Sequence, residues 1–421
     1  MLASWYDFRD FGNAVGRLVE ALRDAGASDH IIYPVTALIG CLGVLVFVGG
    51  ATLINIWLER RVIGRMQSRL GPNRYGPFGL LQPVADAIKL IQKEALTPRA
   101  ADAIVFTIAP VVIFVPAILA FAVFPWGKEM VLADLNVGVL YLLALGSTSA
   151  IIVFMAGYAS NNKYALLGSM RVVAMLISYE VPSVLAILGV TTFAGSMSLR
   201  DIVEFQRTHW VFLLFLQPLA LLIFLIGSTV ELNRSPSDIA EAESEIIAGY
   251  HIEYSGMKFG MFYAVELVNS LGVSGIIAAL FLGGWWTFGL EKFVPGWMLF
   301  IGKMYAVYFL FIWFRGTLPR FRIDQLMAFA WKFLLPLAIV NFFAAALEVL
   351  IWREYEISAG IVLPIFAVVN FALAGALIAG WGRVMFQQFQ RFPRRARLVS
   401  GIEVPELPYP AAPHPATEPV A

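Results

Sequence analysis

Cysteine and histidine are scarce in this sequence, and their scarcity excludes several kinds of redox site. Among 421 residues there is one cysteine, Cys41, and there are four histidines, at positions 30, 209, 251 and 414. A single cysteine builds neither a disulfide framework nor a cysteine-ligated iron–sulfur cluster. No two histidines have the spacing of a haem or metal site within one apolar segment. The sequence therefore predicts that this chain holds no electron carrier and no metal.

Charged residues are also scarce, at 14% of the chain, whereas hydrophobic residues make up 59%. The mean hydropathy is +0.76. Apolar runs of about 20 residues, the length that spans a bilayer as a helix, recur along the chain. A transmembrane β-barrel would show short alternating segments instead. The composition predicts an all-α polytopic membrane protein with about nine transmembrane helices and additional amphipathic helices at the interface.

Length and hydropathy divide the chain into a membrane domain, residues 31–382, and two flanking segments. The nine predicted spans are residues 31–58, 104–124, 137–158, 172–193, 210–230, 262–286, 297–314, 327–351 and 359–381. Residues 1–30 carry apolar side chains at helical spacing, which is typical of an amphipathic helix lying on the membrane. Residues 383–421 are basic and then proline-rich, so we expect them to be disordered or to lie on a partner.

Lysine and arginine are distributed unevenly between the two sides of the predicted membrane domain. Outside the spans, twenty of them lie in the odd-numbered connections and the C-terminal tail, and eight lie on the opposite side. Positively charged loops remain preferentially in the cytoplasm. We therefore expect the N-terminus outside and the C-terminus in the cytoplasm.

The first connection, residues 59–102, is the longest between two spans. Its Gly71-Pro72 and Gly76-Pro77 pairs predict turns. Pro83 then begins a helix that we expect to run to residue 95, with Leu81, Val84, Ile88 and Ile91 on one face. A helix of this pattern lies at the membrane interface, and anchoring is its simplest role.

Residues 231–266 hold seven carboxylates between the fifth and sixth predicted spans. They are Glu231, Asp238, Glu241, Glu243, Glu245, Glu253 and Glu266. An acidic loop is often only a solvated surface, which fits the middle residues better than the first and last. Asp238, Glu241 and Glu245 would share one face of a helix and would repel one another unless nearby cations neutralise them. We expect the first-connection arginines, Arg60, Arg61, Arg65 and Arg69, to supply these cations, although such a cluster can also bind anionic lipid.

Several ionisable residues fall within predicted spans, where a charge is costly. Glu180 lies near the middle of its span, and Glu266 lies inside the next apolar segment but one. Such acids are candidates for proton transfer, and the alternative is a hydrogen bond that holds two helices together. Glu348 lies near the end of a span and could simply reach water. Lys303 and Lys332 could pair with an acid or extend toward the surface.

Two long stretches carry a resemblance to a known family. The first is ERRVIGRMQSRLGPNRYGPFGLLQPVADAIKLIQKE, in the first connection, and the second is ELNRSPSDIAEAESEIIAGYHIEYSGMKFGMFYAVE, which contains the acidic loop. Both resemble the signature stretches of the H-subunit family of bacterial NADH-quinone oxidoreductase, respiratory complex I. RGTLPRFRIDQLM, from Arg315, resembles a third. The resemblance extends from about residue 31 to residue 381.

The resemblance implies a membrane subunit that supports the chamber where a lipid quinone is reduced. By motif, Arg60, Arg69, Asp86, Arg315 and Arg320 would line the chamber or its entrance. A proton path would follow from Glu231, Asp238, Glu241, Glu243, Glu245 and Glu253 to Glu180 and Glu266. Peripheral iron–sulfur subunits, carrying the iron–sulfur clusters, FMN and NADH, and antiporter-like membrane subunits would be the partners. The location would be the bacterial inner membrane.

Two alternatives remain open from the residues themselves. A stand-alone ion-coupled carrier also needs buried acids, but it has no need of the arginine-rich connection, and such carriers usually contain internal repeats, of which the sequence shows none. The equivalent subunit of a membrane-bound hydrogenase or formate-oxidising complex would share the motifs without reducing quinone. Copurifying subunits would distinguish the three. The choice between ubiquinone and menaquinone is also left open.

Overall fold

A computed structural model describes residues 23–24, 28–128, 130–239, 247–356 and 358–391. These residues form helices and the turns between them, with no β-strand in the described ranges. Most of the predicted N-terminal amphipathic segment and of the C-terminal tail lies outside them, as do Glu241, Glu243 and Glu245 of the acidic loop. Residues 383–391 of the tail, which we expect from the sequence to be disordered or to lie on a partner, instead continue the last helix.

Thirteen α-helices follow one another in the described chain. They are α1 (Asp29–Met66), α2 (Gln82–Gln92), α3 (Ala103–Leu119), α4 (Gly138–Ala159), α5 (Lys163–Ala194), α6 (Leu199–Thr208), α7 (Leu213–Leu216), α8 (Pro218–Glu231), α9 (Gly256–Leu280), α10 (Gly296–Thr317), α11 (Ile323–Phe329), α12 (Leu335–Glu354) and α13 (Ala359–Arg391). A π-helical turn, Ala330–Leu334, joins α11 to α12. Eight helical segments of the described chain are long and apolar enough to cross a membrane, and α8 is a shorter apolar helix.

The fifth predicted span, residues 210–230, is not one continuous helix. It is divided into the single turn α7 and the longer α8 at Gln217, whose φ and ψ are −133° and 58°. Pro218 follows and has no amide hydrogen to continue the helical hydrogen bonds. The side chain of Gln217 accepts a hydrogen bond from Asn341 Nδ2 at 2.8 Å, which gives the irregular backbone a buried polar neighbour. Hydropathy does not register such a break, because the residues on both sides are apolar.

The sixth predicted span, residues 262–286, is shifted toward the N-terminus, because α9 begins at Gly256 and ends at Leu280. Gly283 and Gly284 follow with φ of +74° and +52° and turn the chain away. Lys303 of α10 donates to the carbonyl oxygens of Leu282, Gly284 and Trp286 at 2.6, 2.9 and 2.5 Å. Lys303 therefore holds the end of this helix through backbone oxygens.

Helix α5 is the central element, because α4, α8 and α12 all pack against it. Its Gly168 allows close approach of the backbone at Gly249: a Cβ at position 168 would lie 2.7 Å from Gly249 Cα. The short 3₁₀ segment Gly249–His251 is thereby seated on α5. Helix α1 lies at the periphery, and only 11% of the residues in its most apolar part are buried within the chain.

The interfacial helix of the first connection is present as α2, but it ends three residues earlier than predicted. Lys93 adopts an extended conformation after Gln92, and this ends the helix. Val84, Ile88 and Ile91 are exposed within the chain, whereas Pro83 is buried. The helix thus keeps an apolar face available to lipid or to a partner.

Candidate functional site: a buried network of carboxylates and arginines

Glu59 lies near the end of α1 and is the centre of the most buried charged cluster in the described chain. It is 4% exposed. Its Oε1 accepts a hydrogen bond from Arg234 Nη1 at 2.8 Å and another from Arg315 Nη1, and its Oε2 accepts from the Tyr308 hydroxyl at 3.3 Å. One carboxylate therefore joins α1, α10 and the segment after α8.

Arg234 is 1% exposed and has carboxylates on two sides. Its Nε lies 3.8 Å from Glu266 Oε1, and its guanidinium lies 5.9 Å from the centre of the Tyr308 ring. Burial lowers the pKa of Arg234, but Glu59, Tyr308 and Glu266 raise it by more, so the net shift is upward. The side chain stays charged. Among the residues that the structure describes, its Nε and Nη2 atoms have no hydrogen-bond partner.

The motif-based residue set omitted Glu59 and Arg234. Glu59 ends an apolar run, where an acid normally reaches water, and Arg234 lies in a turn after a span. One signal in the sequence indicated that such cations exist. The acidic stretch contains more acids than bases, and buried acids need cations to pair with them. The structure supplies Arg234 from the stretch itself and Arg315 from α10.

Glu180 and Glu231 lie against the same turn of α4. The Ser147 hydroxyl donates to Glu180 Oε1, and a Cβ built at Gly146 would lie 2.9 Å from Glu231 Oε1. Glycine at position 146 therefore leaves room for the Glu231 carboxylate beside a residue that already binds Glu180. Three residues after Glu231, the chain reaches Arg234.

The two residues that precede Glu180 on α5 both form hydrogen bonds with the segment after α10. The Trp331 indole donates to Ser178 Oγ at 3.1 Å, and the Tyr179 hydroxyl donates to the carbonyl of Leu326 at 2.8 Å. Trp331 belongs to the π-helical turn, a feature that is frequent at functional sites. The segment after α10 is thereby fixed to α5 beside Glu180.

Asp238 pairs with Arg320, whose Nη2 lies 3.0 Å from its Oδ2. The expectation that the first-connection arginines neutralise this acid is therefore wrong. The reason is local: the amide of Phe321 donates to the carbonyl of Pro236 at 3.0 Å, which places the segment after α10 directly against the acidic stretch. That backbone contact brings Arg320 beside Asp238.

The first-connection arginines instead bind groups of their own region. Arg60 forms an ion pair with Asp86 at 2.5 Å, and Arg61 donates to the carbonyl of Phe78 at 2.5 Å. Arg69 donates to Gln67 Oε1 at 2.7 Å. The ion pair between Arg60 and Asp86 ties the end of α1 to α2. An open cavity of about 480 Å³ lies along α2, lined by Ala85, Ile88, Lys89, Gln92 and Lys93.

The remaining acids do not all join one cluster. Glu253 accepts a hydrogen bond from Asn162 Nδ2 at 2.7 Å, at the beginning of α5. Glu348 does not reach water: it is 7% exposed and accepts from Asn370 Nδ2 at 2.8 Å. Among the residues with described positions, no group of three or more His, Cys, Asp and Glu side chains is arranged to hold a metal ion.

Comparison with known proteins assigns the chain to a family. A sequence model of the NADH dehydrogenase family matches residues 39–346. A relative from Dehalococcoides mccartyi, the H subunit of an NADH-quinone oxidoreductase, is 52% identical over 327 residues, which cover 78% of this chain and 90% of the relative. A protein of the same name from Bacillus cytotoxicus is 46% identical over 333 residues, covering 78% of this chain and 98% of its own. The chain therefore belongs to the NADH dehydrogenase family.

Proposed function

We propose that the chain is the H subunit of a proton-translocating NADH-quinone oxidoreductase, the membrane subunit of respiratory complex I that couples quinone reduction to proton movement. The membership of the family and the names of the relatives support the assignment. The chain acts as part of a multisubunit enzyme, in a membrane, on a lipid quinone.

The observation that carries the mechanism is the cluster formed by Glu59, Arg234, Arg315 and Glu266. It contains two carboxylates and two arginines in contact, of which Glu59 and Arg234 are buried and Glu266 and Arg315 are partly exposed. Reduction of a quinone to a quinol takes up two electrons and two protons, and negative charge develops before protonation is complete. Fixed arginines stabilise that charge, and neighbouring acids supply or redistribute protons.

In this proposal the quinone headgroup arrives beside the arginine-bearing segments. Arg60, Arg69 and Asp86, from α1 and the α2 region, and Arg315 and Arg320, from the end of α10, form the chamber and its entrance. The arginines keep their positive charge at any physiological pH. The site therefore attracts the negative charge that develops on the headgroup during reduction. The exposed apolar face of α2, which includes Ile88 and Ile91, supports a role for this helix at the entrance.

The proposed proton path begins in the acidic stretch and continues into the helices. It comprises Glu231, Asp238, Glu241, Glu243, Glu245 and Glu253, followed by Glu180 and Glu266. Glu180 and Glu231 meet at Gly146 and Ser147 of α4, which supports proton exchange between them. Interacting carboxylates of this kind titrate as a group and not one at a time.

Peripheral subunits bearing iron–sulfur clusters, FMN and NADH would deliver electrons, and antiporter-like membrane subunits would receive the coupling signal. The location proposed is the bacterial inner membrane, with the N-terminus outside. The distribution of lysine and arginine supports this orientation.

Glu180→Gln tests the proposal. Glutamine keeps the shape and hydrogen-bonding capacity of Glu180 but cannot carry a proton. We expect an assembled complex whose quinone reduction and proton pumping in sealed vesicles are both reduced by about 100-fold or more, the lower end of what a positioned acid–base group contributes.

Glu180→Asp, which retains a carboxyl, is the matched control and should preserve measurable pumping. If Glu180→Gln pumps protons at the parent rate and stoichiometry, Glu180 is not on the path. The path would then have to run through Glu231 and Glu266 alone.

A further inference from the structure

The last two membrane helices, α12 and α13, enclose an acid that the proposed proton path does not use. Glu348 of α12 and Asn370 of α13 are 7% and 2% exposed. Both residues lie beyond the matched range, 39–346. Neither residue belongs to the groups proposed above for the quinone chamber or the proton path.

The surroundings of Glu348 contain no cation that would stabilise a carboxylate. In the described structure its hydrogen bond is with Asn370 Nδ2, at 2.8 Å from Oε2, and it has no ion pair. An ionised carboxylate buried within a membrane span is costly, and one amide donor offsets only part of that cost. Retaining the proton on the carboxyl avoids this cost.

Asn370 supplies a second, independent indication. Its Oδ1 atom is buried and has no hydrogen-bond partner. A buried amide oxygen without a donor is costly, so a donor is expected there. A protonated carboxyl has one oxygen that accepts and one O–H that donates, so it can accept from Nδ2 of Asn370 and donate to Oδ1 of the same amide. The proton on Glu348 would then satisfy the otherwise unused oxygen.

In the described structure, none of the charged groups around Glu348 forms an ion pair with it. Arg353, five residues further along α12, is exposed, and His209 packs against Trp352 with ring centres 5.8 Å apart. Using a rise of about 1.5 Å per residue, Glu180 on α5 lies about 14 Å along the helix from Gly189, which packs beside α12, and Glu231 lies about 21 Å along α8 from Gln217. By the same measure, Lys332 lies about 24 Å from Glu348 and Arg383 lies about 20 Å from Asn370. The Arg353 side chain lies near Gly195 at the end of α5, and Glu354 is exposed.

We propose that Glu348 and Asn370 form a proton-binding site between α12 and α13, in which Glu348 is protonated at neutral pH and donates its proton to Asn370 Oδ1. The ligand of the site is a single proton. Asn341, seven residues before Glu348 on α12, and Gln217, at the break between α7 and α8, continue this polar seam.

Infrared spectroscopy of the assembled complex in lipid vesicles tests the site. We expect the spectrum of the parent minus that of Glu348→Gln at pH 7 to contain the C=O stretching band of one protonated carboxyl and no carboxylate bands. The matched control is Glu354→Gln, which removes an exposed acid from the same helix and should remove carboxylate bands. Carboxylate bands in the Glu348 difference spectrum would overturn the proposal.

A second variant tests the role of Asn370 with the acid still in place. Asn370→Leu removes the acceptor, so the carboxyl band should move to higher frequency as the hydrogen bond is lost. A band that does not move would overturn the pairing. Glutamine imitates a neutral acid, so Glu348→Gln should assemble normally. Failure of Glu348→Gln to assemble, with normal assembly of Glu348→Asp, would likewise contradict a protonated Glu348.

Discussion

At the scale of single residues, the pairing of Glu59 with Arg234 has the largest expected effect on stability. Both side chains are buried, and removing Arg234 takes one of two cations from Glu59 and the ion-pair partner from Glu266. We expect Arg234→Met to lower the free energy of unfolding in detergent by about 3 kcal/mol. The double variant Glu59→Gln with Arg234→Met should recover part of this loss, because it also removes the buried charge at position 59.

The measurement is a double-mutant cycle on the purified complex, with each variant unfolded under the same conditions. Arg60→Met is the matched control: Arg60 is also paired, with Asp86, but its side chain is 45% exposed. Its loss should cost about 1 kcal/mol or less. Strict additivity of the Glu59 and Arg234 effects would contradict the pairing.

His251 gives a pH dependence of a different kind. Its ring packs against Tyr250 and Phe259, with ring centres 5.0 and 5.3 Å away. Burial lowers the pKa of His251 to about 4. The unfolded chain, with a histidine pKa of about 6.5, binds the proton first as the pH falls. Stability from this group is therefore complete above about pH 6.5 and is lost as the pH approaches 4.

We expect His251→Asn to flatten the dependence of the unfolding temperature on pH between about 6.5 and 4, where the group contributes about 3 kcal/mol. The parent and variant should be compared by thermal unfolding at several pH values in that window. His209→Asn serves as a control for the replacement of a histidine by an amide. A pH profile of His251→Asn parallel to that of the parent would be inconsistent with the burial of a neutral ring.

At the scale of elements, α2 is the part of the chain with the clearest separable role. Ile88 is 50% exposed and lines the open cavity together with Lys89 and Lys93. If a quinone tail passes along this face, Ile88→Asp should raise the apparent Michaelis constant for long-tailed quinones more than for short soluble analogues. The reason is that a carboxylate disrupts contact with an apolar chain but not with a small headgroup.

Ile88→Leu keeps the size and polarity of the side chain and is the matched control. Steady-state rates with both classes of quinone, measured on assembled complex, provide the comparison. An equal loss with both substrates would mean that α2 only anchors the chain at the interface.

The elements also indicate how much could be predicted from the sequence. The length of apolar runs locates helices well, since eight of the nine predicted spans correspond to helices that are long and apolar enough to cross a membrane. The break at Gln217 and the π-helical turn at Ala330–Leu334 could not be predicted in this way. Both depend on contacts from other helices, with Asn341 in the first case and Ser178 in the second.

The composition of the candidate site was predictable only in part, since Glu266 and Arg315 were predicted and Glu59 and Arg234 were not, and its pairing was not predictable. The acids of the second stretch were evident, whereas the partners of Glu59 are 175 and 256 residues away in the chain. Charge alone could not distinguish Arg320 from the first-connection arginines as the partner of Asp238. That choice depends on how the segment after α10 packs, which is a property of the fold.

At the scale of the whole molecule, the orientation in the membrane is the main testable consequence of the charge distribution. In a Cys41→Ser background, a cysteine at Arg74, in the first connection, should react with a membrane-impermeant thiol reagent only from the cytoplasmic side. A cysteine at Lys128, in the second connection, should react only from the outside. Both positions are exposed in the chain.

Intact cells and inverted vesicles provide the two sides for this labelling. Activity of each variant in the vesicles confirms that the complex is assembled. Labelling of both positions from the same side would contradict the arrangement of one membrane crossing, α3, between them, and reversed labelling would invert the whole topology.

The long sequence separation of the Glu59 contacts has a consequence for biogenesis. During synthesis at about 5 to 20 residues per second, Arg234 emerges about 10 to 35 s after Glu59, and Arg315 emerges later still. Throughout that interval the newly inserted α1 contains an acid whose cations do not yet exist. Because Glu59 lies near the end of α1, lipid headgroups and water can solvate it there. The helix can then settle to its final depth only when α10 has been inserted.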